Sequence, residues 1–202
     1  MPLIVFEGID GCGKSTQQRL LIERLQGTGR TVRTWREPGG TVAGERLRRL
    51  LLDPSTDLVP AAEVFAYQAA RAQLVQEHIA PALERHEWVV LDRFHYSTLA
   101  YQAYALGMDL EQVLATMPLA LGKIQVDRVF WLRLTPLEAA RRRAGEREDR
   151  IELRGLDYQA RVDEGYALLA ARDPAFVVLD ADDGIDQIQA LVWAHCQELL
   201  SA

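Results

Sequence analysis

Apolar positions gather in five short runs, Leu3–Phe6, Val32–Trp35, Trp88–Leu91, Val129–Leu134 and Phe176–Leu179. The runs are rich in Val, Ile, Phe and Trp and do not alternate with polar residues, a pattern that predicts strands buried on both faces. Between them lie amphipathic stretches, Gln17–Leu25, Ala61–Arg85, Leu137–Arg143, Tyr158–Ala171 and Ile185–Leu200. Strands that alternate with helices predict a parallel sheet with helices on both sides. With no repeat, low-complexity tract or Pro/Ser-rich linker, residues 1–202 are expected to form one α/β domain.

The turn after the first run reads Gly8-Ile9-Asp10-Gly11-Cys12-Gly13-Lys14-Ser15-Thr16 and matches G-x-x-x-x-G-K-[ST]. Glycines let the backbone wind tightly enough to aim several N–H groups at phosphate oxygens. The helix N-terminus that follows favours an anion. In this pattern Lys14 reaches the β- and γ-phosphates and the Ser15 hydroxyl ligates Mg²⁺. The strand before and the amphipathic segment after supply the context the motif requires, so an ATP-binding phosphate loop is expected. A guanine-specific switch protein would carry an N-K-x-D stretch; Lys123 is followed by Ile-Gln-Val, which excludes that reading.

Composition narrows the class further. The net charge of −6 argues against a general nucleic-acid binder. No run approaches the roughly 20 apolar residues that span a bilayer, and the opening Met1–Phe6 lacks the features of a secretory signal. Cys12 and Cys196 have no metal or redox spacing and are expected to be free thiols in a reducing, cytoplasmic setting. Of 23 basic residues only Lys14 and Lys123 are lysines, so the one in the phosphate loop stands out.

Three further segments bear on a second substrate. Asp92-Arg93-Phe94-His95-Tyr96-Ser97-Thr98 follows the third strand, where a carboxylate can hold Mg²⁺ or its waters and an adjacent arginine can fork onto a phosphate. Taken alone it would read as an ion pair at a strand end. Arg36-Glu37-Pro38-Gly39-Gly40-Thr41 follows the second strand, with Thr41 a helix N-cap. The arginine-rich run 141–150 reads by default as a solvated helix face; in a phosphoryl-transfer enzyme such arginines close over the phosphates and exclude water.

Together these segments, with Glu63-Val64-Phe65-Ala66-Tyr67-Gln68-Ala69-Ala70-Arg71, Tyr101-Gln102 and Asp149-Arg150-Ile151-Glu152, resemble bacterial thymidylate kinases over nearly the whole chain. The resemblance implies the P-loop NTPase-type three-layer architecture of nucleoside monophosphate kinases, with a five-stranded parallel sheet. It also implies transfer of the ATP γ-phosphoryl group to dTMP with Mg²⁺, in a homodimer. By the resemblance, Arg48 and Arg93 clamp the dTMP phosphate, Arg71 donates to the thymine carbonyl, and Tyr67 stacks on the base. Thr98 and Gln102 contact its edge, and Glu37, Pro38, Ser97 and Tyr101 line the same site. Asp10 lies near the sugar 3′-hydroxyl, with Asp10, Ser15 and Asp92 near Mg²⁺. Catalytic arginines are expected from a lid over about 141–152, as Arg143, Arg147 and Arg150, with Arg141 at ATP. Tyr67, Phe94 and Arg133 depart from the family's usual residues. The dimer surface is expected on the helix 61–85 and the apolar region 101–121.

Two rival readings stay open on the residues alone. A kinase for another nucleotide or nucleoside would keep the phosphate loop and alter the base contacts. A non-catalytic nucleotide-binding subunit would not need Lys14, Asp92, Arg93 and the lid arginines together.

Overall fold

The computed structural model describes residues 2–145 and 147–201; Met1, Glu146 (within the expected lid) and Ala202 lie outside the described residues. The chain begins with strand β1 (Leu3–Glu7), helix α1 (Lys14–Gly27), strand β2 (Val32–Arg36) and helix α2 (Val42–Leu52). Helices α3 (Pro60–Leu74) and α4 (Ala80–Glu84) flank a π turn at Val75–Ile79 and lead into β3 (Trp88–Asp92). Next come α5 (His95–Thr98), a π-helical segment Leu99–Ala105, α6 (Leu110–Ala115), α7 (Met117–Leu121) and β4 (Arg128–Arg133). Helix α8 (Pro136–Arg142), a 3₁₀ turn at Glu152–Arg154, α9 (Leu156–Ala170), β5 (Phe176–Asp180) and α10 (Ile185–Ser201) complete it.

All strand pairs are parallel, in the order β2-β3-β1-β4-β5. The centre is buried on both sides because successive side chains of a strand point to opposite faces. On β1, Ile4 and Phe6 join Leu21, Leu25, Val90 and Phe130 on one face, while Leu3 and Val5 join Leu74, Ile79, Val89 and Leu91 on the other. Each such burial contributes about 1.5–3 kcal/mol. The expected burial on both faces fails at β2 and β5, the two edge strands, where Arg33, Thr34 and Val178 face solvent.

The five strands and the major helices begin and end within a few residues of their predicted positions. The predicted single helix 61–85 runs without interruption from Pro60 to Glu84 but widens into the π turn on the way. Pro81 is the cause: it has no N–H to give to the carbonyl one turn earlier, and an i→i−5 bond from Ala80 to Val75 accommodates its ring. Helix α2 begins as expected at Thr41, whose hydroxyl accepts from the Gly44 amide at 2.9 Å. Helix α9 lies against the 99–105 segment, and Gly165 makes the approach possible, since a Cβ there would stand 2.8 Å from the Tyr104 Cβ. The strand order reverses at β1, so the carboxyl ends of β1, β3 and β4 open onto one crevice.

Candidate active site

At the end of β1 the chain turns through Gly8, whose φ of +133° is a glycine conformation. A Cβ there would lie 2.5 Å from the Leu132 carbonyl oxygen. The loop closes at Gly13, and α1 starts with no acidic residue in its first turn, leaving its N-terminus free to face an anion. Lys14 is buried; its Nζ donates to the Gly8 and Ile9 carbonyls at 2.9 and 3.2 Å and to Asp10 Oδ1 at 3.3 Å. Ser15 is exposed beside it and Thr16 half-buried.

Asp10 links this loop to a cavity beyond the ends of β1, β2 and β3. Arg93 Nη2 donates to Asp10 Oδ1 at 2.8 Å, Nη1 donates to Ser97 Oγ at 3.3 Å, and the guanidinium lies over Tyr101 at 5.2 Å. Burial pushes the Asp10 carboxyl up, but Arg93 and Lys14 outweigh it and hold Asp10 well below the usual carboxylate range. Arg93 has φ +66°, a strained backbone for a residue with a side chain and one that clusters at functional sites. Holding it there is Glu7, fully buried, which accepts from the Phe94 and Ser97 amides at 2.9 and 3.3 Å. Glu7 also accepts from Ser97 Oγ at 2.6 Å and the Tyr166 hydroxyl at 2.7 Å. Burial raises its pKa against the pull of Arg93 and these donors.

The far wall of the cavity carries Arg71, 1% exposed. Its Nε donates to Glu37 Oε2 at 2.8 Å, Nη1 to Gln68 Oε1 at 2.7 Å, and Nη2 to the Phe94 carbonyl at 3.2 Å and Thr98 Oγ1 at 3.0 Å. Glu37 is pushed up to about 7 by burial, with Arg71 pulling it down and Glu7 adding to the rise. Its Oε1 is buried without a protein partner among the described residues. Tyr67 lines the same cavity one helical turn before Arg71, and burial lifts its phenol so that it stays neutral. Pro38, Arg48, Asp92, Tyr101 and Gln102 also line it, with Arg48 donating to the Pro38 carbonyl at 3.0 Å and Gln102 to Glu63 Oε1 at 2.7 Å. The cavity thus brings together all the residues expected at dTMP: Asp10, Glu37, Pro38, Arg48, Tyr67, Arg71, Arg93, Ser97, Thr98, Tyr101 and Gln102.

A second cleft, between the start of α1 and the start of α10, is lined by Cys12, Gly13, Thr16 and Gln17 on one side and Gly184, Ile185 and Ile188 on the other. Of the arginine run, Arg142 lines this cleft and Arg141, expected at ATP, does not. Arg141 is 76% exposed and paired to Glu138 at 2.7 Å, whereas Arg142 lines the cleft, held by the Ala181 carbonyl at 3.0 Å and Asp182 at 2.8 Å. One residue along a helix is about 100° of rotation, and the run of three arginines hid the phase.

The lid arginines do not converge on the phosphate loop as a group. Arg143 approaches it and pairs with Glu152. Arg147 is exposed. Arg150 donates to the Leu51 carbonyl at 2.7 Å and to buried Glu63 at 2.7 Å, alongside Arg154 at 2.6 Å. Burial raises the Glu63 pKa, but Arg154, Arg150 and Gln102 outweigh it and keep it ionised.

Among the described residues, no group of three or more His, Cys, Asp and Glu side chains could hold a metal ion by itself. The residues present do fit a hard cation shared with phosphate oxygens. Asp92 Oδ1 is buried without a protein partner, and the Ser15 hydroxyl is exposed at the loop.

A thymidylate kinase family model matches residues 6–192. This chain belongs to the thymidylate kinase family. It is 44% identical to the thymidylate kinase of Synechococcus sp. (strain RCC307), over 94% of this chain and 92% of that one. It is 43% identical to that of Synechococcus sp. (strain CC9605), over 98% of both. Against the thymidylate kinase of Caldanaerobacter subterraneus subsp. tengcongensis it is 39% identical, over 98% and 95%. The family's enzymes are nucleoside monophosphate kinases that carry the γ-phosphoryl group of ATP, with Mg²⁺, to dTMP, and this chain is one of them.

The departures from the thymidylate kinase pattern find local explanations. Arg133 pairs with Asp163 at 3.0 Å and lies over Trp131 at 5.5 Å. Phe94 is fully buried, and its ring supports the Arg71 guanidinium at 5.6 Å. Sequence reasoning missed Glu7, Glu63 and Arg142. Glu7 carried a signal: a carboxylate that ends an apolar strand must be buried with partners. Glu63 lay inside the quoted 63–71 segment, four residues before Tyr67.

Proposed function

We propose that dTMP is held in the cavity above β1 and β3 and receives the phosphoryl group from ATP on the Gly8–Ser15 loop. One observation carries this reading: Asp10 belongs to the phosphate loop and is paired with Arg93 in the acceptor cavity, so the two substrates meet at one residue pair. The acceptor oxygen of dTMP is already anionic, so no strong base is required and alignment with charge neutralisation suffices. In this reading Lys14 and Arg93 hold the phosphates on either side of the transfer, with Arg48 as the second clamp on dTMP. Arg143, Arg147 and Arg150 close from the lid, about 141–152, and exclude water. For Arg150 this requires leaving Glu63. Arg71, Thr98 and Gln102 read the base edge, and Tyr67 covers its face. Mg²⁺ would be held by Ser15 with Asp92 and Asp10 nearby, supplying charge stabilisation to the β- and γ-phosphates. The adenine would lie in the Gln17–Ile188 cleft beside Arg142.

The test is a coupled ADP-release assay with ATP and Mg²⁺ offering dTMP, dUMP, dCMP, dGMP, AMP and thymidine. Strong turnover with dTMP, weaker with dUMP and negligible with the rest supports the assignment. Preference for another acceptor overturns the base contacts and keeps the phosphate loop, and no turnover with any returns the chain to a binding role.

We further propose a cytoplasmic homodimer of one-domain subunits. Among the described residues no helix is long and apolar enough to cross a membrane. Phe65 on α3 and Leu119 on α7, 64% and 88% exposed, stand on two helices that pack together, and a second copy would cover them. Light scattering after size exclusion gives the mass; a monomer at micromolar concentration removes the dimer.

A further inference from the structure

Arginine 71 is gripped by partners that differ in their own anchorage. Glu37, Thr98 and the Phe94 carbonyl belong to the cavity wall. The remaining partner, Gln68, is buried three residues earlier on the same helix and is fixed from elsewhere. Its Nε2 donates to Thr116 Oγ1 at 2.8 Å, and the Thr116 hydroxyl donates to the Val113 carbonyl at 2.7 Å.

The polarity of this chain has one solution. The Val113 carbonyl can only accept, so the single Thr116 hydroxyl proton goes to it and the oxygen accepts from Gln68. The amide nitrogen of Gln68 therefore faces Thr116 and its oxygen faces Arg71. A guanidinium carries five N–H groups and accepts nothing. Nε–H and both Nη2–H groups have protein partners, and one Nη1–H goes to Gln68 at 2.7 Å. The second Nη1–H has no protein partner among the described residues, and it is the one left to meet a ligand. Gln68 is 6% exposed, and it is the only protein partner of the nitrogen that carries this free N–H among the described residues.

We propose that Gln68 and Thr116 are positioning residues for base recognition, a relay from the junction of α6 and α7 that sets the plane of the Arg71 guanidinium and so the direction of its free N–H. The inference rests on the reading of this cavity as the dTMP site. Its substance is selectivity. An N–H fixed in direction pairs with the carbonyl of thymine and meets a donor when cytosine presents its amino group. Without Gln68 the guanidinium stays held through Nε and Nη2, but its Nη1 end is less closely directed, and that distinction weakens along with affinity. Because the relay acts on a contact present throughout binding, it should appear in KM and leave kcat nearly unchanged.

The experiment measures kcat and KM for dTMP and dCMP with wild type, Gln68→Leu, Thr116→Val, Thr116→Ser and the Gln68→Leu/Thr116→Val double variant. Gln68→Leu should raise KM for dTMP about tenfold, the effect of losing one hydrogen bond to a charged group. Its kcat should stay within about twofold, with the dTMP-over-dCMP preference reduced. Thr116→Val should shift both in the same direction by about threefold, and Thr116→Ser, which keeps the hydroxyl, should behave as wild type. The double variant should be no worse than Gln68→Leu alone, since the two act in series. Unchanged KM in folded Gln68→Leu and Thr116→Val, a loss confined to kcat, or additive effects in the double variant would each overturn the relay. Should Gln68→Leu not fold, the Val and Ser replacements at Thr116 decide on their own. A wild type that ignores dTMP, or accepts dCMP equally, counts against the acceptor-site reading and not against the relay.

Discussion

Around the acceptor cavity the arginines are locked: Arg71 is 1% exposed with four protein partners, and Arg93 is paired to Asp10 and laid over Tyr101. On the donor side they are more open to solvent: Arg141 is 76% exposed with Glu138 as its partner, and Arg147 is exposed, while Arg142 and Arg143 are held by ion pairs to Asp182 and Glu152. The same side chain thus serves two purposes. A site that discriminates one small base from its near relatives gains from rigid donors, because directional hydrogen bonds lose selectivity when they can swing. A lid that must admit ATP and then exclude water needs arginines that travel. Glu63 is where the two regimes join: on α3 with Tyr67 and Arg71, it binds Gln102 on one side and Arg150 and Arg154 on the other.

The contrast can be broken most severely at the two cations nearest the transfer. Lys14→Ala and Arg93→Ala should each lower kcat by about 10²–10³, the scale of removing a preorganised charge partner from a transition state. Normal rates in the ADP-release assay for either variant would remove that residue from the mechanism. Next comes the joint itself. Glu63 has a fully buried side chain, and Glu63→Gln leaves two arginines without their counter-charge, so unfolding in urea should show a loss of about 3–5 kcal/mol.

A smaller effect separates the locked side by its pH dependence. Glu37 is raised from an ordinary 4.5 to about 7, so between those values the native state holds a proton that the unfolded chain has lost. Stability from this group is therefore full below about 4.5 and falls as pH rises toward about 7, at up to roughly 1.4 kcal/mol per pH unit. Glu37→Gln should flatten that part of the stability profile; identical profiles for variant and wild type would mean that Glu37 titrates normally. The smallest effect sharpens the open side. Arg142→Ala should raise KM for ATP about fivefold if its guanidinium covers the purine face, whereas Arg141→Ala should leave KM for ATP unchanged. The reverse result would restore Arg141 to the donor cleft.

What the sequence disclosed follows the range of the interactions. The strands, the phosphate loop and the Thr41 cap are set by neighbours within a few positions, and they were legible. The residues that line the cavity proposed for dTMP were legible through the family resemblance, because Tyr67 and Arg71 share a helix face whatever else surrounds them. Glu7 and Glu63 were not, since their partners lie far along the chain: Ser97 and Tyr166 for one, Arg150 and Arg154 for the other. A buried carboxylate announces that it needs partners, but not where they come from. The phase of Arg141 against Arg142 and the π turns before Pro81 and through Tyr101 depend on local helix winding, which apolar periodicity averages away.

The near absence of lysine has a practical side. Lys14 is buried with its ammonium tied to two backbone carbonyls, while Lys123 lies exposed just beyond α7. An amine-directed acylating dye would therefore find one accessible side chain, far from the phosphate loop in sequence, besides the chain's own α-amine. Lys123 thus offers a single lysine for a fluorophore or a surface tether, with no other lysine to remove by mutation.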